Sequence, residues 1–422
     1  MSKLIGSPLV TQGGETIGKL DDLLFRLREG EYPLLQGLVV RVGGRQVFMP
    51  IARVLEFQAD RILLTKAKVD LRGFERRSGE VLLREDILGH RLIDVDDAEL
   101  VWAWDVDLEE TADGWVLCSL DTRRRPARLF ASFRKPSVRN GKDWKAFEPL
   151  IGHSATELVR RPFRRVRRFK PAQIADLVED ASRSEGEEIM EALHEYPELE
   201  ADVFGELDPD VATRLFGDKS DEEVAAVIEL MRSDDAADAV AELPQERRVK
   251  ILDLLTPNHK AKIMNLMAFN ASSAGGIMSV DYLTCPVGLS VQEAIDAIRQ
   301  AGSLQVEVSL TVHVVDDDGH VLGVASVVDL LRADPSASLD SILDREFIDV
   351  LPTADVVDVA VLMADFNLLS VPVLSDGGTM LGVITVDDIL EATIPDEWRR
   401  REPAPRSERH ETSGSQSTGS GG

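Results

Sequence analysis

Hydrophobic and polar positions along this 422-residue chain change period three times. Over residues 1–120 short apolar stretches of alternating pattern recur at Leu35–Val42, Gln46–Pro50, Arg61–Lys66, Val101–Val106 and Trp115–Leu120, with Gly13-Gly14 in an early turn. That spacing predicts strands closing into a small β-barrel. The run Asp86-Ile87-Leu88-Gly89 restarts the pattern, which suggests an internal duplication. From residue 171 to 275 the apolar positions move to helical spacing, as in Ile174–Val178, Ile189–Leu193, Val211–Phe216, Val224–Met231, Ala236–Leu243 and Val249–Leu255. Helix starts are written between them as Asp208-Pro209, Ser220-Asp221-Glu222-Glu223, Ser233-Asp234-Asp235 and Pro244-Gln245-Glu246. Short helices repeated in this way predict a superhelical bundle. Ser272-Ser273-Ala274-Gly275-Gly276 then breaks the helical pattern. Beyond it one motif appears twice, at Thr311–Leu331 and Val371–Leu390: an apolar strand, a Gly-bearing turn, a second strand, and an acidic helix start. A repeat of this kind marks a duplicated folding unit.

Charge divides the chain differently. Residues 1–170 carry 31 Lys and Arg against 25 Asp and Glu, whereas residues 171–422 carry 17 against 50, which together give the net charge of −27. An acidic body attracts cations and repels nucleic acid. The stretch 123–170 is the exception, with arginine clusters at Arg123–Arg125, Arg160-Arg161, Arg164-Arg165 and Arg167-Arg168 interleaved with Phe130, Phe133, Trp144, Phe147, Phe163 and Phe169. Basic residues with aromatics suit nucleic acid or an anionic membrane. The plainer reading is that the aromatics anchor the segment while its arginines face the acidic part of the chain, at the high effective concentration of an intramolecular contact. No apolar run approaches the ~20 residues of a membrane span, and no signal peptide opens the chain. Cys118 and Cys285 are isolated, so a cytoplasmic location is expected. No nucleophile elbow, P-loop or zinc-protease motif is present, so no catalytic residue is assigned and no enzyme is expected.

The duplicated motif, with Gly323, Ser326 and Asp329 matched by Gly382, Thr385 and Asp388, resembles a pair of CBS domains, a regulatory module that commonly binds adenine nucleotides. The turn Ile17-Gly18-Lys19-Leu20-Asp21-Asp22 followed by strands resembles the PRC-barrel family, which implies docking or scaffolding. Three further runs appear in order: Phe169–Leu177, Met231–Ala239 with Glu242-Leu243-Pro244, and Ser272–Met278. With the repeat, they resemble the cytosolic part of MgtE-type magnesium channels. The expected organisation is multidomain α+β: PRC-barrel-like β structure at 1–122, a basic connector at 123–170, an MgtE-N-like helical domain at 171–275, CBS domains at 276–334 and 335–396, and a disordered tail at 402–422. No pore segment follows the repeat, so this chain alone is not expected to form a channel.

The resemblance implies Mg²⁺ sensing, with ions bridging acidic faces of the helical domain and the CBS pair. Asp234 and Asp238, spaced i, i+4, share a helix face, and Mg²⁺ takes hard oxygen ligands while keeping several waters. Asp388 and Glu391 match the family's ligand positions on the CBS side. For an adenine nucleotide, the resemblance assigns Asp329 to the ribose and His313 to stacking on the base, with Ser326, Thr385 and Asp388 completing the two matched sites. Val328 stands where a phosphate-binding basic residue is expected. Helix capping is the alternative role of Ser326 and Thr385, and of Asp234. Three functions follow: a Mg²⁺-responsive regulator signalling to a partner, an accessory of magnesium transport acting on a separate membrane protein, or a scaffold for RNA, ribosome or membrane. The resemblance also implies a homodimer through the CBS domains.

Overall fold

The alternating stretches of the N-terminal region become strands, each presenting one face to a shared interior. The structure, a computed structural model, describes residues 4–28, 30–58, 60–65, 73–77, 79–122, 141–149, 165–302 and 304–394. It comprises two units, Met1–Thr256 and Pro257–Gly422. In the first, the strands are β1 Pro8–Thr11, β2 Thr16–Arg26, β3 Leu34–Val42, β4 Arg45–Pro50, β5 Val54–Phe57, β6 Ile62–Leu64, β7 Glu80–Leu82, β8 Arg91–Asp94, β9 Glu99–Trp102, β10 Asp105–Thr111, β11 Gly114–Asp121, β12 Lys142–Asp143 and β13 Phe147–Pro149. The larger sheet runs β10-β11-β3-β2-β1-β6-β5, with β4 on β3, β7 on β2 and β12 on β11; the smaller runs β13-β8-β9. Both sheets bury their apolar residues in one core, which holds Leu23, Phe25, Leu38 and Ile62 together with Leu92, Leu120, Trp144 and Phe147. The two halves of the expected duplication therefore share a single interior, because neither supplies enough apolar surface to close one alone.

That core also revises the connector. Lys142–Asp143 pair with β11 and Phe147–Pro149 with β8, and Trp144 and Phe147 are buried. These aromatics serve packing, which removes them as base-stacking candidates. Arg123–Arg125, Phe130, Phe133, Arg160, Arg161, Phe163 and Arg164 lie outside the described residues, as does the tail at 402–422. Arg165 closes the β domain: its Nε and backbone N–H donate to Glu148 Oε1 (3.1 and 3.2 Å), and its Nη2 donates to the Phe147 carbonyl (2.7 Å).

Seven helices follow in the first unit: α1 Pro171–Asp180, α2 Arg183–Leu193, α3 Pro197–Glu206, α4 Pro209–Gly217, α5 Asp221–Ile228, α6 Ser233–Glu242 and α7 Gln245–Leu254. Proline begins α1, α3 and α4, and reciprocal Ser/Glu caps begin α2 and α5. Helices α1, α3, α5 and α7 pack in sequence, as do α4 and α6, so the array is superhelical. Phe204 and Phe216 stack at its centre, 4.3 Å between rings. The array meets the β domain at Arg91. Its guanidinium donates to both Glu185 carboxylate oxygens and to the Asp180 carbonyl (Nη1, 2.7 Å), at the junction of α1 and α2.

The second unit opens with α8 Pro257–Leu266. Lys262 on α8 is paired with Asp281 (2.5 Å) within this unit. After α9 Ala274–Ile277 the two repeats follow: β14 Thr284–Pro286, α10 Val291–Gln300, α11 Val306–Ser309, β15 Thr311–Val315, β16 Val321–Ser326 and α12 Val327–Arg332, then α13 Val356–Phe366, β17 Ser370–Leu374, β18 Met380–Thr385 and α14 Val386–Thr393. Their lead segments are exchanged. Ser279, ahead of the first repeat, pairs with Val383 of the second, and Asp344, in the link between repeats, pairs with Val324 of the first. Gly323 and Gly382 sit under these crossings. A Cβ at Gly323 would lie 2.8 Å from the Asp344 carbonyl oxygen, and one at Gly382 would lie 2.7 Å from the Met278 sulfur.

Candidate functional site

Each repeat ends its second strand on a hydroxyl that caps the helix behind it. Ser326 Oγ accepts the Asp329 N–H (3.1 Å) and donates to Asp329 Oδ2 (2.5 Å). Thr385 Oγ1 accepts the Asp388 N–H (3.3 Å) and donates to Asp388 Oδ2 (2.8 Å), which also takes the Thr385 N–H (2.8 Å). The capping role weighed for both hydroxyls is therefore present. Surroundings separate the two positions: Thr385 and Asp388 are buried, whereas Asp329 is exposed beside a half-buried Ser326. Only the first carboxylate faces solvent, where a ribose hydroxyl could replace the serine as its donor. Val328 next to it is exposed and uncharged, so this helix start offers a phosphate no cation at that position.

His313 lies on β15, between β14 and β16. Its neighbours Val312 and Val314 enter one apolar cluster, so strand alternation turns the imidazole to the opposite face. That face is covered as well: the residue is 0% exposed. The ring is inside the fold, where it presents no open face for an adenine to stack upon. Nδ1 lies 3.4 Å from the Leu283 carbonyl, which can only accept, so Nδ1 carries the proton. Nε2 is buried without a hydrogen-bond partner among the described residues. Burial lowers the pKa to about 4 against the opposing Leu283 contact, leaving the ring neutral at pH 7.

The metal candidates divide between two helices. Asp234 and Asp238 lie on α6, Asp234 in its first turn and Asp238 exposed one turn on. Arg232 holds the N-cap position, so Asp234 complements the helix dipole instead of capping. Arg232 also forks onto Asp235 (2.8 and 3.0 Å) and so draws a neighbouring carboxylate into an ion pair. Asp388 and Glu391 lie on α14, where Glu391 is exposed and Asp388 is engaged in the cap. Each helix thus offers one exposed carboxylate, Asp238 on α6 and Glu391 on α14, and a hydrated Mg²⁺ needs only one or two direct protein oxygens.

A third group escaped the sequence reading. Asp316, Asp318 and His320 bring ligand-type atoms within 4.8 Å of one another in the β15–β16 turn. The signal was the run Asp316-Asp317-Asp318-Gly319-His320. Its contacts describe a turn: Asp316 Oδ1 accepts the N–H groups of Asp318 (3.0 Å) and His320 (2.9 Å), which hold its carboxyl below the usual range. The same turn meets its counterpart in the second repeat, through Val321 N–H to Gly378 O (3.1 Å) and Met380 N–H to Gly319 O (3.2 Å).

Residues 169–272 match the MgtE intracellular N domain, and residues 274–336 and 339–394 each match the CBS domain. The chain carries an MgtE N domain followed by a CBS pair. The Magnesium transporter MgtE of Thermus thermophilus is 33% identical over 161 residues, which is 37% of this chain and 36% of that protein. The Magnesium transporter MgtE of Enterococcus faecalis is 32% identical over 136 residues, 32% of this chain and 30% of that one. The chain thus spans about a third of the length of these relatives. Among solved structures, the cytosolic domain of the Mg²⁺ channel MgtE in complex with ATP is similar at 26% identity and a TM-score of 0.50, covering 54% of this chain and 91% of that one. The MgtE N match contains Asp234 and Asp238, and the CBS matches contain His313, Ser326, Asp329, Thr385, Asp388 and Glu391. Among the described residues no helix is long and apolar enough to cross a membrane.

Proposed function

We propose that this chain is a Mg²⁺-responsive regulatory protein acting on the cytosolic side, with Asp234 and Asp238 of the MgtE N domain and Asp388 and Glu391 of the CBS pair supplying carboxylate ligands. The observation that carries the reading is the succession of an MgtE N domain and two CBS domains, similar to a magnesium-channel cytosolic domain over 91% of that domain and 54% of this chain. An adenine nucleotide would use the exposed Asp329 for its ribose, and the buried Thr385–Asp388 cap makes the second position the weaker one. The ion acts only through the difference in its affinity for the two states of the protein. The PRC-like β domain passes that state to a partner protein. Exposed Val357 and Val361 on α13, with Val328 and Leu331 on α12, support a CBS homodimer, which sedimentation equilibrium would detect. The test is a Mg²⁺ titration followed by small-angle scattering, with Ca²⁺ as comparison and with or without ATP. A saturable change in radius of gyration at millimolar Mg²⁺ or below, lost in the Asp234→Asn/Asp238→Asn variant, is expected. No change with either ion sinks the proposal.

The second reading is an accessory of magnesium transport acting on a membrane protein, favoured by the matches to magnesium transporters. Affinity capture from solubilised membranes that recovers no transporter would count against it.

A further inference from the structure

We infer that the β domain holds an anion site of its own, built to take a phosphate group carried on a small apolar body. Lys19, Leu20 and Asp21 of the Lys19–Asp22 motif line a surface cleft of about 580 Å³, together with Ile5, Gly6, Arg41, Arg84 and Leu88. Three cations against one carboxylate is the reverse of the chain as a whole, which has 48 Lys and Arg to 75 Asp and Glu. The one carboxylate is already engaged. Asp21 accepts Arg41 Nη2 on both oxygens (2.8 and 3.0 Å) and Gln46 Nε2 (2.5 Å). This fixes Arg41 at the wall of the cleft, bound through Nη2, while its Nε and Nη1 meet no acceptor among the described residues. Lys19 and Arg84 are exposed and make no side-chain ion pair among the described residues.

The next residue of the motif holds the segment that carries Arg84. Asp22 points inward, where its carboxylate accepts the N–H groups of Arg84 (2.8 Å) and Glu85 (3.1 Å) and so holds the turn Leu83–Ile87 in place. Glu85, the acid beside Arg84, lies 3.6 Å from Arg76. Adjacent aspartates thus reach both arginines, Asp21 through the Arg41 guanidinium and Asp22 through the Arg84 backbone N–H. Guanidinium groups match phosphate oxygens in a planar fork, and lysine adds a mobile point charge. Leu20, Leu88 and Ile5 supply apolar floor that an inorganic ion alone would leave uncovered. The site belongs to neither matched domain, since it lies outside residues 169–394.

The probes are phenyl phosphate and inorganic phosphate, titrated by calorimetry into the full chain at low ionic strength. Saturable binding is expected, tighter for phenyl phosphate, with at least a tenfold loss in Lys19→Met/Arg84→Met and retention in the charge-keeping Lys19→Arg/Arg84→Lys. An unchanged thermal melt of the Met variant separates loss of the site from loss of the fold. A flotation arm with vesicles of anionic or neutral phospholipid distinguishes the source: capture by anionic vesicles alone, abolished in the Met variant, assigns the phosphate to a lipid headgroup. The proposal is overturned by no saturable binding of any probe, or by binding that the Met variant retains, which would place the anion elsewhere on the chain.

Discussion

Arg165→Met leaves a buried acid without its cation, and the size of the effect follows from what Glu148 can do instead. The Glu148 side chain is 4% exposed, and burial already raises its pKa against the pull of Arg165. Methionine keeps the aliphatic stem of Arg165 and its backbone N–H, but removes the hydrogen bonds to Glu148 Oε1 and to the carbonyls of Lys145 and Phe147. Removing one member of a buried pair typically costs 3–5 kcal/mol. Here protonation sets a ceiling. Neutralising a carboxyl of ordinary pKa 4.5 at pH 7 costs about 3.4 kcal/mol, at 1.36 kcal/mol per pH unit. The loss expected at pH 7 is therefore about 2–3 kcal/mol, since Arg165 is partly exposed and its contribution is screened. The sign in pH follows from linkage. The unpaired Glu148 has a folded pKa above its unfolded value, so its stability contribution is present below pH 4.5 and is lost as pH rises. The gap between variant and wild type should accordingly shrink by most of its value between pH 7 and pH 5. Trp102, Trp104, Trp115 and Trp144, four of the five tryptophans, lie in the β domain, so in a Trp398→Phe background tryptophan emission during urea unfolding reports on this domain within the larger chain. Glu148→Gln/Arg165→Met should recover more than half of the loss. A gap that is constant with pH, or a double variant as unstable as Arg165→Met, refutes the reasoning.

Three further outcomes are expected. Burial raises the Asp22 pKa to about 6 against the opposing N–H donors Arg84, Leu23 and Glu85. The β domain should lose about 3 kcal/mol as pH rises from 3.8 to 6, and Asp22→Asn, read by the same tryptophan signal, should flatten that slope. Gly382→Ala pushes a methyl group into Met278 and the Ser279 carbonyl; a lower melting temperature of the CBS unit is expected, and an unchanged one would mean the crossing relaxes freely. Arg91→Ala should raise amide exchange at the start of α2, where Glu185 would keep its Ser182 cap but lose the β domain, and unchanged exchange there would show that the arginine contact carries no strain-free coupling.

Much of this architecture is readable from local pattern, and the failures share one cause. The two hairpins of the CBS pair were legible because each strand alternates over a Gly turn and the whole unit is written twice. The helical array was legible because its starts carry proline or a Ser/Glu cap at fixed spacing. Trp144 and Phe147 could be read as anchors but not placed, because a short apolar island inside a basic run has the same local appearance whether it meets a base or a core. Their partners, Leu120 and Leu92, are tens of residues away. His313 was given a ligand-facing role from its place in the motif. Alternation alone shows which residues share its face, but not that the face is covered.

Period, capping residues and duplication were enough to establish strands, then helices, then a repeated strand–turn–strand–helix unit with a hydroxyl and a carboxylate at matched points. Those properties are set between residues a few positions apart, where backbone geometry allows few alternatives. Which of the matched carboxylates stays open to solvent, why glycine stands at 323 and 382, and which cations gather around Asp21 were decided by the fold alone. Each depends on segments far apart in sequence crossing at one point, and burial, close approach and charge balance at such a point are properties of the crossing, not of either strand.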